Sequence, residues 1–338
     1  MSRPLLSVLL PCRNAEELLD ECIDSLQSQT LGAYEVLAID DGSTDGTRER
    51  LEGWVRNDRR VRLLDRRGLG ITSALQQAAG EARTALLARM DADDIAHPER
   101  FERQWRFLRR RADVAACGTG VRYVPRASVG TGYRRYEEWI NALRQPEDLE
   151  RDLFVECPIA HPTLVVRAAA FRAVGGYRER GWPEDYDLVL RLHRAGYRLA
   201  NLSTVLLSWR ITAGRLSMRS ERYAPAAFRR CKVHHLLRAY LPAGRPIVIW
   251  GAGRVGKPLA VELLRHRVQP VAFVDLDPRK IGQVIHGAEV LPPDRLAGGA
   301  GERPFVLAAV GSPGARGEIR DSLGALGFKE RADFLVFA

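Results

Sequence analysis

The sequence has few cysteines and no long apolar run. Its 338 residues include five cysteines, an odd number without paired spacing, which excludes a disulfide framework and a cysteine-based zinc site. No apolar segment reaches the roughly 18 residues that a membrane-spanning helix requires. The first residues lead directly into a strand pattern and lack the layout of a signal peptide. We therefore expect a cytoplasmic protein whose thiols are reduced and buried.

A nucleic-acid-binding motif is also missing, although the net charge is +10 at pH 7. Such motifs interleave basic and aromatic side chains, and no segment does so here. The positive charge permits attraction to nucleotide phosphates or anionic lipid, or it reflects only a composition rich in arginine, alanine and glycine. The hydrophobic content of 46% and the length suit a soluble, globular chain of about two domains.

Apolar runs and helical spacings alternate through the first part of the chain. The run Leu5–Leu10 is continuous, as in strands buried on both faces of a parallel sheet, and Asn14 is the predicted N-cap of the next helix. The alternation continues to Asp91 and predicts an α/β fold with a doubly wound sheet. The further predicted elements are strands over 34–39, 61–64 and 85–88 and a helix over 69–79.

Three polar clusters follow predicted strands, at Pro11–Asn14, Asp40–Asp41 and Asp91–Asp94. Because ligands of such sheets bind at the carboxyl ends of strands, we expect these clusters to surround one crevice. The three carboxylates of the last cluster would repel one another without a cation between them, and oxygen ligands suit Mg²⁺ or Mn²⁺. The alternative is an acidic turn that begins the following helix. The expected convergence of the clusters favours the metal.

A second acidic segment, Trp182–Asp187, precedes a predicted amphipathic helix. Its carboxylates could serve as helix caps alone. Asp185, however, lies near an aromatic residue and a proline, and partial desolvation there would make it a better base. His161 stands alone in a loop, where a histidine is more often structural than catalytic.

Together these segments resemble family 2 glycosyltransferases, whose nucleotide-sugar-binding fold is called GT-A. The resemblance covers roughly residues 4–217 and lies in three motifs in the family's order. They are SVLLPCRNAEELLDECIDSLQSQTLGAYEVLAIDDGSTDGT, ARMDADDIAHPERFERQWRFL and GWPEDYDLVLRLHRAGYRLANL. The resemblance implies a GT-A domain with a doubly wound, mixed sheet. It also implies inverting transfer of a sugar from a nucleoside-diphosphate sugar to an acceptor hydroxyl.

The resemblance further implies roles for particular residues. Asp91 and Asp93 would bind Mg²⁺ or Mn²⁺ at the donor diphosphate, and Asp185 would deprotonate the acceptor hydroxyl. The residues expected to line the nucleoside pocket are Pro11, Arg13, Asp40 and Asp41. Those expected on the acceptor side are His161, Trp182 and Glu184.

Arginines are expected around the diphosphate of the donor. Arg89, together with Arg66 or Arg67, is a predicted diphosphate neighbour, and an ordinary exposed arginine is the alternative at each position. Arg210 is expected to contact phosphate as well, because its segment resembles the family's closing diphosphate loop.

Two features depart from the family pattern. Within the predicted closing loop, Ser208–Ser217, Thr212 stands where a histidine is common, which puts a third metal or phosphate ligand in doubt. The Gln/Arg-x-x-Arg-Trp signature of processive polysaccharide synthases is missing. We therefore expect single sugar additions instead of polymerisation.

The last part of the chain has a glycine-rich turn after a predicted strand. Gly251, Gly253 and Gly256, with Asp275 about twenty residues further on, form a dinucleotide-binding layout. This part resembles the small nucleotide-binding domains at the front of bacterial sugar O-acyltransferases, and it could bind a nucleotide or serve only for docking. We expect a GT-A domain over 1–217, a basic helical segment over 218–243 and a Rossmann-like α/β domain over 244–338. The basic segment could contact anionic lipid or act as a solvated linker.

These patterns predict a metal-dependent, inverting glycosyltransferase of bacterial surface polysaccharide or glycoconjugate assembly. Its partners would be a nucleoside-diphosphate sugar and a glycan, lipid-linked or small-molecule acceptor, without nucleic acid. Peripheral contact with the inner face of the membrane is a further option. One alternative is a nucleotide- or NAD(P)-binding protein whose C-terminal domain is the active or regulatory part, and another is an inactive binding module. The sequence does not indicate an oligomeric state.

Overall fold

The computed structural model describes residues 3–66, 68, 70–212, 214–297 and 303–338. Its contacts divide the chain into two compact units. The first comprises the chain up to Leu149 together with Cys157–Tyr223, and the second comprises Glu150–Glu156 and Ala224–Ala338. The first unit therefore continues past the boundary predicted after residue 217, and the segment predicted as a linker is divided between the units.

The first unit is built on an eight-stranded mixed sheet in the order β3-β2-β1-β4-β7-β6-β8-β5. Strands β1 to β4 pair in parallel, and β7 pairs antiparallel with both β4 and β6. The strands are β1 (Leu6–Cys12), β2 (Tyr34–Asp41), β3 (Val61–Arg66), β4 (Leu86–Arg89), β5 (Ile95–Ala96), β6 (Val114–Val124), β7 (Val165–Arg167) and β8 (Arg198–Arg210). The predicted α/β fold with a mixed sheet is confirmed.

Helices cover this sheet and bury its apolar side chains. They are α1 (Glu16–Gln27), α2 (Thr47–Asn57), α3 (Ile71–Glu81), α4 (Arg100–Arg110), α5 (Thr131–Ala142), α6 (Pro146–Arg151), α7 (Ala168–Ala173), α8 (Glu184–Arg194) and α9 (Leu216–Arg219). Every residue of β2 is buried, as the continuous apolar run of a central strand requires. The register pairs Cys12 with Asp40 and Leu9 with Arg89, so the ends of β1, β2 and β4 meet at one edge.

The predicted N-cap at Asn14 is wrong. Helix α1 begins at Glu16, and Asn14 has a left-handed backbone with φ 48°. The cap comes instead from the start of α2 and the loop before it: Thr47 Oγ1 accepts from the Ala15 N–H at 2.8 Å, and Asp45 accepts from the Glu16 N–H at 3.1 Å. The Asn14 side chain accepts from the Thr44 N–H at 2.8 Å, so it braces the same loop.

The second unit contains a six-stranded sheet in the order β11-β12-β10-β9-β13-β14, parallel except for the β11–β12 pair. Its strands are β9 (Ile247–Trp250), β10 (Ala272–Val274), β11 (Val284–Ile285), β12 (Ala288–Leu291), β13 (Phe305–Ala308) and β14 (Phe334–Val336). Its helices are α10 (Pro225–Ala239), α11 (Gly256–Arg265) and α12 (Ala315–Ala325). Among the described residues, no helix is long and apolar enough to span a membrane.

Candidate active site

Three carboxylates lie together in the turn after β4. The ligand oxygens of Asp91, Asp93 and Asp94 are all within 4.8 Å of one another. Asp94 is buried, and its Oδ1 accepts a hydrogen bond from the Arg210 backbone N–H at 2.8 Å. Its Oδ2 is buried without a hydrogen-bond partner among the described residues. A cluster with an unsatisfied buried oxygen has the donor set that a hard divalent cation prefers.

Without a cation, the ionised forms of these carboxylates are electrostatically unfavourable. Burial and the charge of Asp91 raise the pKa of Asp93 to about 6. Burial and the charges of Asp91 and Asp93 also raise the pKa of Asp94. Like charges in a desolvated site favour protonation, and a bound Mg²⁺ or Mn²⁺ would remove that preference. The three residues therefore fit a divalent metal.

Arg89 supports the cluster from inside the protein. Its side chain is only 2% exposed and forms an ion pair with Asp91. Burial alone would lower the pKa of Arg89, but the neighbouring Asp91 carboxylate raises it. The alternative of an ordinary exposed arginine is therefore wrong at this position. The enclosed Arg89 side chain thus holds Asp91, and its predicted contact with the diphosphate stays a prediction.

Two further arginines approach the cluster, Arg210 from the end of β8 and Arg215 from the loop after it. Arg210 forms a two-pronged ion pair with Glu21, at 3.1 and 2.9 Å, while its backbone N–H holds Asp94. The guanidinium of Arg215 lies 4.8 Å over the Trp209 ring, and its positive charge counters the raised pKa of Asp93. Arg215 was not among the predicted site residues, although its place in the predicted closing loop was a usable signal.

The residues predicted for the nucleoside pocket lie at the ends of β1 and β2. Asp40 and Asp41 are buried, and they accept hydrogen bonds at 3.0 Å from the backbone N–H groups of Ser43 and Gly70 respectively. These carboxylates thus shape the loops after β2 and β3, while Pro11 is half-buried and Arg13 is exposed. Residue Arg67 and the side chain of Arg66 lie outside the described residues.

Asp185 lies in the first turn of α8, with Pro183 as the N-cap residue. Its Oδ1 accepts from the Tyr186 N–H at 2.7 Å, and the residue is only partly buried. Trp182 is also partly buried. Both Asp185 and Asp91 act on the buried Tyr177 hydroxyl. Burial is the main cause of the raised pKa of Tyr177, and the charges of the two carboxylates raise it further. The predicted base and one carboxylate of the acidic cluster therefore both influence the same buried hydroxyl.

Glu184, the residue before Asp185, is buried, with a side chain 1% exposed. Its oxygens accept from the Tyr223 hydroxyl at 2.9 and 2.8 Å and from Arg222 Nη1 at 3.4 Å. His161 Nδ1 lies 3.8 Å from Glu184, and His161 Nε2 is 2.8 Å from the Tyr177 hydroxyl. Burial and the charge of Arg89 lower the pKa of His161, which keeps the imidazole neutral. The side chains of Glu184 and His161 are thus held inside the protein, and their acceptor-side role stays a prediction.

The glycine-rich turn of the second unit packs tightly. Gly251 has φ 116°, and a Cβ on Gly256 would lie 1.8 Å from the Gly251 carbonyl oxygen. Asp275 Oδ2 accepts from the Ala252 N–H at 2.8 Å and from Lys280 Nζ at 2.9 Å. Gly251, Gly256 and Asp275 therefore have structural roles in the turn, whereas a Cβ placed on Gly253 would meet no atom of the other described residues within 4 Å, its two chain neighbours apart. Cofactor binding here stays a prediction.

Several known proteins are similar to this chain in sequence. Residues 7–175 match the family model described as Glycosyl transferase family 2. An uncharacterized glycosyltransferase of Haemophilus influenzae is 31% identical over 220 residues, covering 63% of this chain and 68% of that protein. The O-antigen biosynthesis glycosyltransferase WbnJ of Escherichia coli is 28% identical over 212 residues, covering 61% of this chain and 80% of that protein.

A solved structure agrees with the fold. The crystal structure of S. aureus TarS 1-349 in complex with UDP-GlcNAc superposes with a TM-score of 0.57 at 18% sequence identity, covering 78% of this chain and 72% of that chain. At that identity the match supports the GT-A fold and no finer property.

Proposed function

Because this chain belongs to glycosyltransferase family 2 and is therefore a glycosyltransferase, we propose that it carries out inverting, metal-dependent transfer of a sugar. The donor is a nucleoside-diphosphate sugar, and the acceptor group is a hydroxyl. The observation that carries this proposal is the acidic cluster, whose ligand oxygens lie within 4.8 Å of one another at the edge where three parallel strands end.

Asp91 and Asp93 would hold Mg²⁺ or Mn²⁺. The metal, when bound, neutralises the charge that develops on the leaving nucleoside diphosphate. Asp94 supports the site, because its Oδ1 is already held by the Arg210 N–H at 2.8 Å. Arg89 fixes Asp91 from the interior through their ion pair. The chain's contribution on the donor side is thus a pre-arranged set of carboxylates with a fixed position.

Asp185 is the proposed base. Of the adjacent pair, Glu184 is buried with its oxygens engaged, whereas Asp185 is partly exposed and can reach an acceptor. Asp185 takes the proton of the acceptor hydroxyl as that oxygen bonds to the anomeric carbon from the face opposite the diphosphate. The bond between the anomeric carbon and the diphosphate oxygen breaks in the same step. The sugar is transferred with inversion, and the diphosphate carries away the bond's electron pair.

Further residues complete the donor site. Arg215 supplies positive charge beside the cluster, and its stacking on Trp209 at 4.8 Å keeps it there. Pro11 and Arg13 would contact the nucleoside directly, since they lie at the surface of the strand end. The carboxylates at the end of β2, Asp40 and Asp41, would act by holding the surrounding loops.

The relatives suggest the biological setting. The E. coli relative is named for O-antigen biosynthesis, and the TarS structure contains UDP-GlcNAc. We therefore place the enzyme in bacterial surface polysaccharide assembly, with a UDP-sugar as the first donor to test. A glycan or lipid-linked acceptor, and peripheral contact with the inner face of the membrane, belong to this proposal.

The test begins with a donor screen. UDP-, GDP- and dTDP-sugars are compared for thermal stabilisation of the protein in Mn²⁺, because a ligand that binds the folded state raises the unfolding temperature. Turnover of the stabilising donor is then measured for wild type, Asp185→Asn and Asp93→Asn, with Asp24→Asn on the exposed face of α1 as the matched control. We expect Asp185→Asn to lose about 10²- to 10⁴-fold in turnover while still binding donor. Full activity of that variant would refute the base assignment.

A further inference from the structure

Glu184 is held from the C-terminal end of the first unit. The Tyr223 hydroxyl donates to both carboxylate oxygens of Glu184, at 2.9 Å to Oε1 and 2.8 Å to Oε2. Arg222 Nη1 approaches Oε2 at 3.4 Å, and the same guanidinium also contacts Thr72 and Glu179. Two consecutive residues of the chain, 39 and 38 positions after Glu184, thus clamp a carboxylate that is 1% exposed.

The remaining neighbours of Glu184 offer weaker contacts. His161 Nδ1 is 3.8 Å away, and its ring is bonded through Nε2 to the Tyr177 hydroxyl. Arg89 acts on Glu184 through its charge. Among the described residues that face Glu184, the Tyr223 hydroxyl therefore makes the shortest hydrogen bonds, and Arg222 adds the nearest positive charge.

We propose that Tyr223 is a positioning residue for Asp185 that acts through Glu184. The inference rests on the proposed role of Asp185 as base. By anchoring Glu184, the Tyr223 hydroxyl fixes the first turn of α8 and so the direction in which the neighbouring Asp185 side chain leaves the helix. By donating to both oxygens, it also favours the ionised form of Glu184, and negative charge there makes Asp185 a stronger base.

The second effect, on the charge of Glu184, acts against the burial of that carboxylate. Burial raises the pKa of Glu184, and the hydrogen bond from Tyr223 and the charge of Arg222 oppose that rise. If the hydroxyl is removed, the neutral form of Glu184 gains. Asp185 then loses a negative neighbour and accepts the acceptor's proton less readily. The acid limb of the rate profile, which reports protonation of the base, would move to lower pH.

The test uses release of nucleoside diphosphate from the donor selected by the thermal screen, in Mn²⁺, across pH about 5–9. The variants are Tyr223→Phe, Glu184→Gln and the double variant. Tyr197→Phe is the control, since it removes another tyrosine hydroxyl just beyond the C-terminal end of α8. We expect Tyr223→Phe to lower kcat about 10- to 100-fold, to leave the donor KM within about 2-fold and to shift the acid limb downward. The control should match wild type.

The double variant separates a specific link from general damage. If Tyr223 acts through Glu184, adding Tyr223→Phe to Glu184→Gln causes little further loss. The proposal is wrong if the two losses multiply, or if Tyr223→Phe keeps the wild-type kcat and pH profile. Should Tyr223→Phe not fold, Arg222→Lys weakens the same clamp, and the same downward shift is expected from it. Failure of the proposed function would look different, because wild type would then release no nucleotide or Asp185→Asn would remain fully active.

Discussion

Replacing Asp93 by asparagine should stabilise the metal-free protein. The pKa of Asp93 is raised from 3.8 to about 6 by burial and by Asp91. A shift of roughly 2 units corresponds to about 3 kcal/mol by which the folded state disfavours the ionised carboxylate. Because the residue is partly exposed and asparagine keeps only part of its hydrogen bonding, we expect a gain of about 1–3 kcal/mol at neutral pH. For a unit of this size, that raises the unfolding temperature by about 2–10 °C.

The sign of the pH dependence makes this prediction specific. The raised pKa means that wild type loses stability as the pH rises from about 4 to 6 and carries the full penalty above that range. The advantage of Asp93→Asn should therefore shrink as the pH falls towards 4 and vanish below about pH 3, where the carboxyl is protonated in both states.

Thermal unfolding in EDTA measures the stability of the metal-free protein, and unfolding in MnCl₂ measures the stabilisation by the metal. Wild type should be stabilised by Mn²⁺, by about 2.7 kcal/mol at a concentration 100 times Kd, whereas Asp93→Asn should respond little. Asp24→Asn, on an exposed face of α1, should behave as wild type in both solutions. The reasoning is refuted if Asp93→Asn is less stable than wild type in EDTA at neutral pH, or if Mn²⁺ stabilises the two equally.

Three further predictions concern the donor site and the second unit. Arg215→Met should weaken calorimetric binding of UDP with Mn²⁺ about 10-fold, because a cation beside the cluster is lost, while Arg219→Met, at an exposed position of α9, should not. The affinity for Mn²⁺ alone should fall as the pH decreases through about 6, because Asp93 must lose its proton before it can bind the metal, and a flat profile would contradict this. Gly256→Ala should destabilise the second unit by at least about 1–3 kcal/mol in thermal unfolding, since the new Cβ would lie 1.8 Å from the Gly251 carbonyl oxygen. It should leave binding of UDP with Mn²⁺ unchanged, and loss of that binding would contradict the placement of the donor site in the first unit.

The fold was predictable where the signal is local and long. The continuous apolar runs of β1 and β2 have few alternatives to buried strands, and the predicted strands and the α3 helix differ from the observed ones by only a few residues at their ends. The cap of α1 was not predictable from Asn14, because its hydrogen bonds come from Asp45 and Thr47, about thirty residues further along the chain. Contacts between loops leave no periodic trace in the sequence.

The site was predictable in its charges and not in its supports. Three carboxylates after β4 are visible in the sequence because their spacing is short and their mutual repulsion needs an explanation. The burial of Arg89 and the clamp of Tyr223 on Glu184 depend on contacts between distant parts of the chain. An arginine or tyrosine in a sequence carries no sign of whether its polar end is enclosed, so these supports emerged only from the fold.

The configuration of the first product tests the central claim most directly. Wild type is incubated with Mn²⁺ and an α-linked UDP-sugar, and the released or transferred sugar is followed by proton NMR before it mutarotates. We predict that the β-anomer appears first, that EDTA abolishes its appearance and that Asp185→Asn slows it about 10²-fold or more. An α-anomer as the first product, or an equal rate in EDTA, would contradict inverting, metal-dependent transfer.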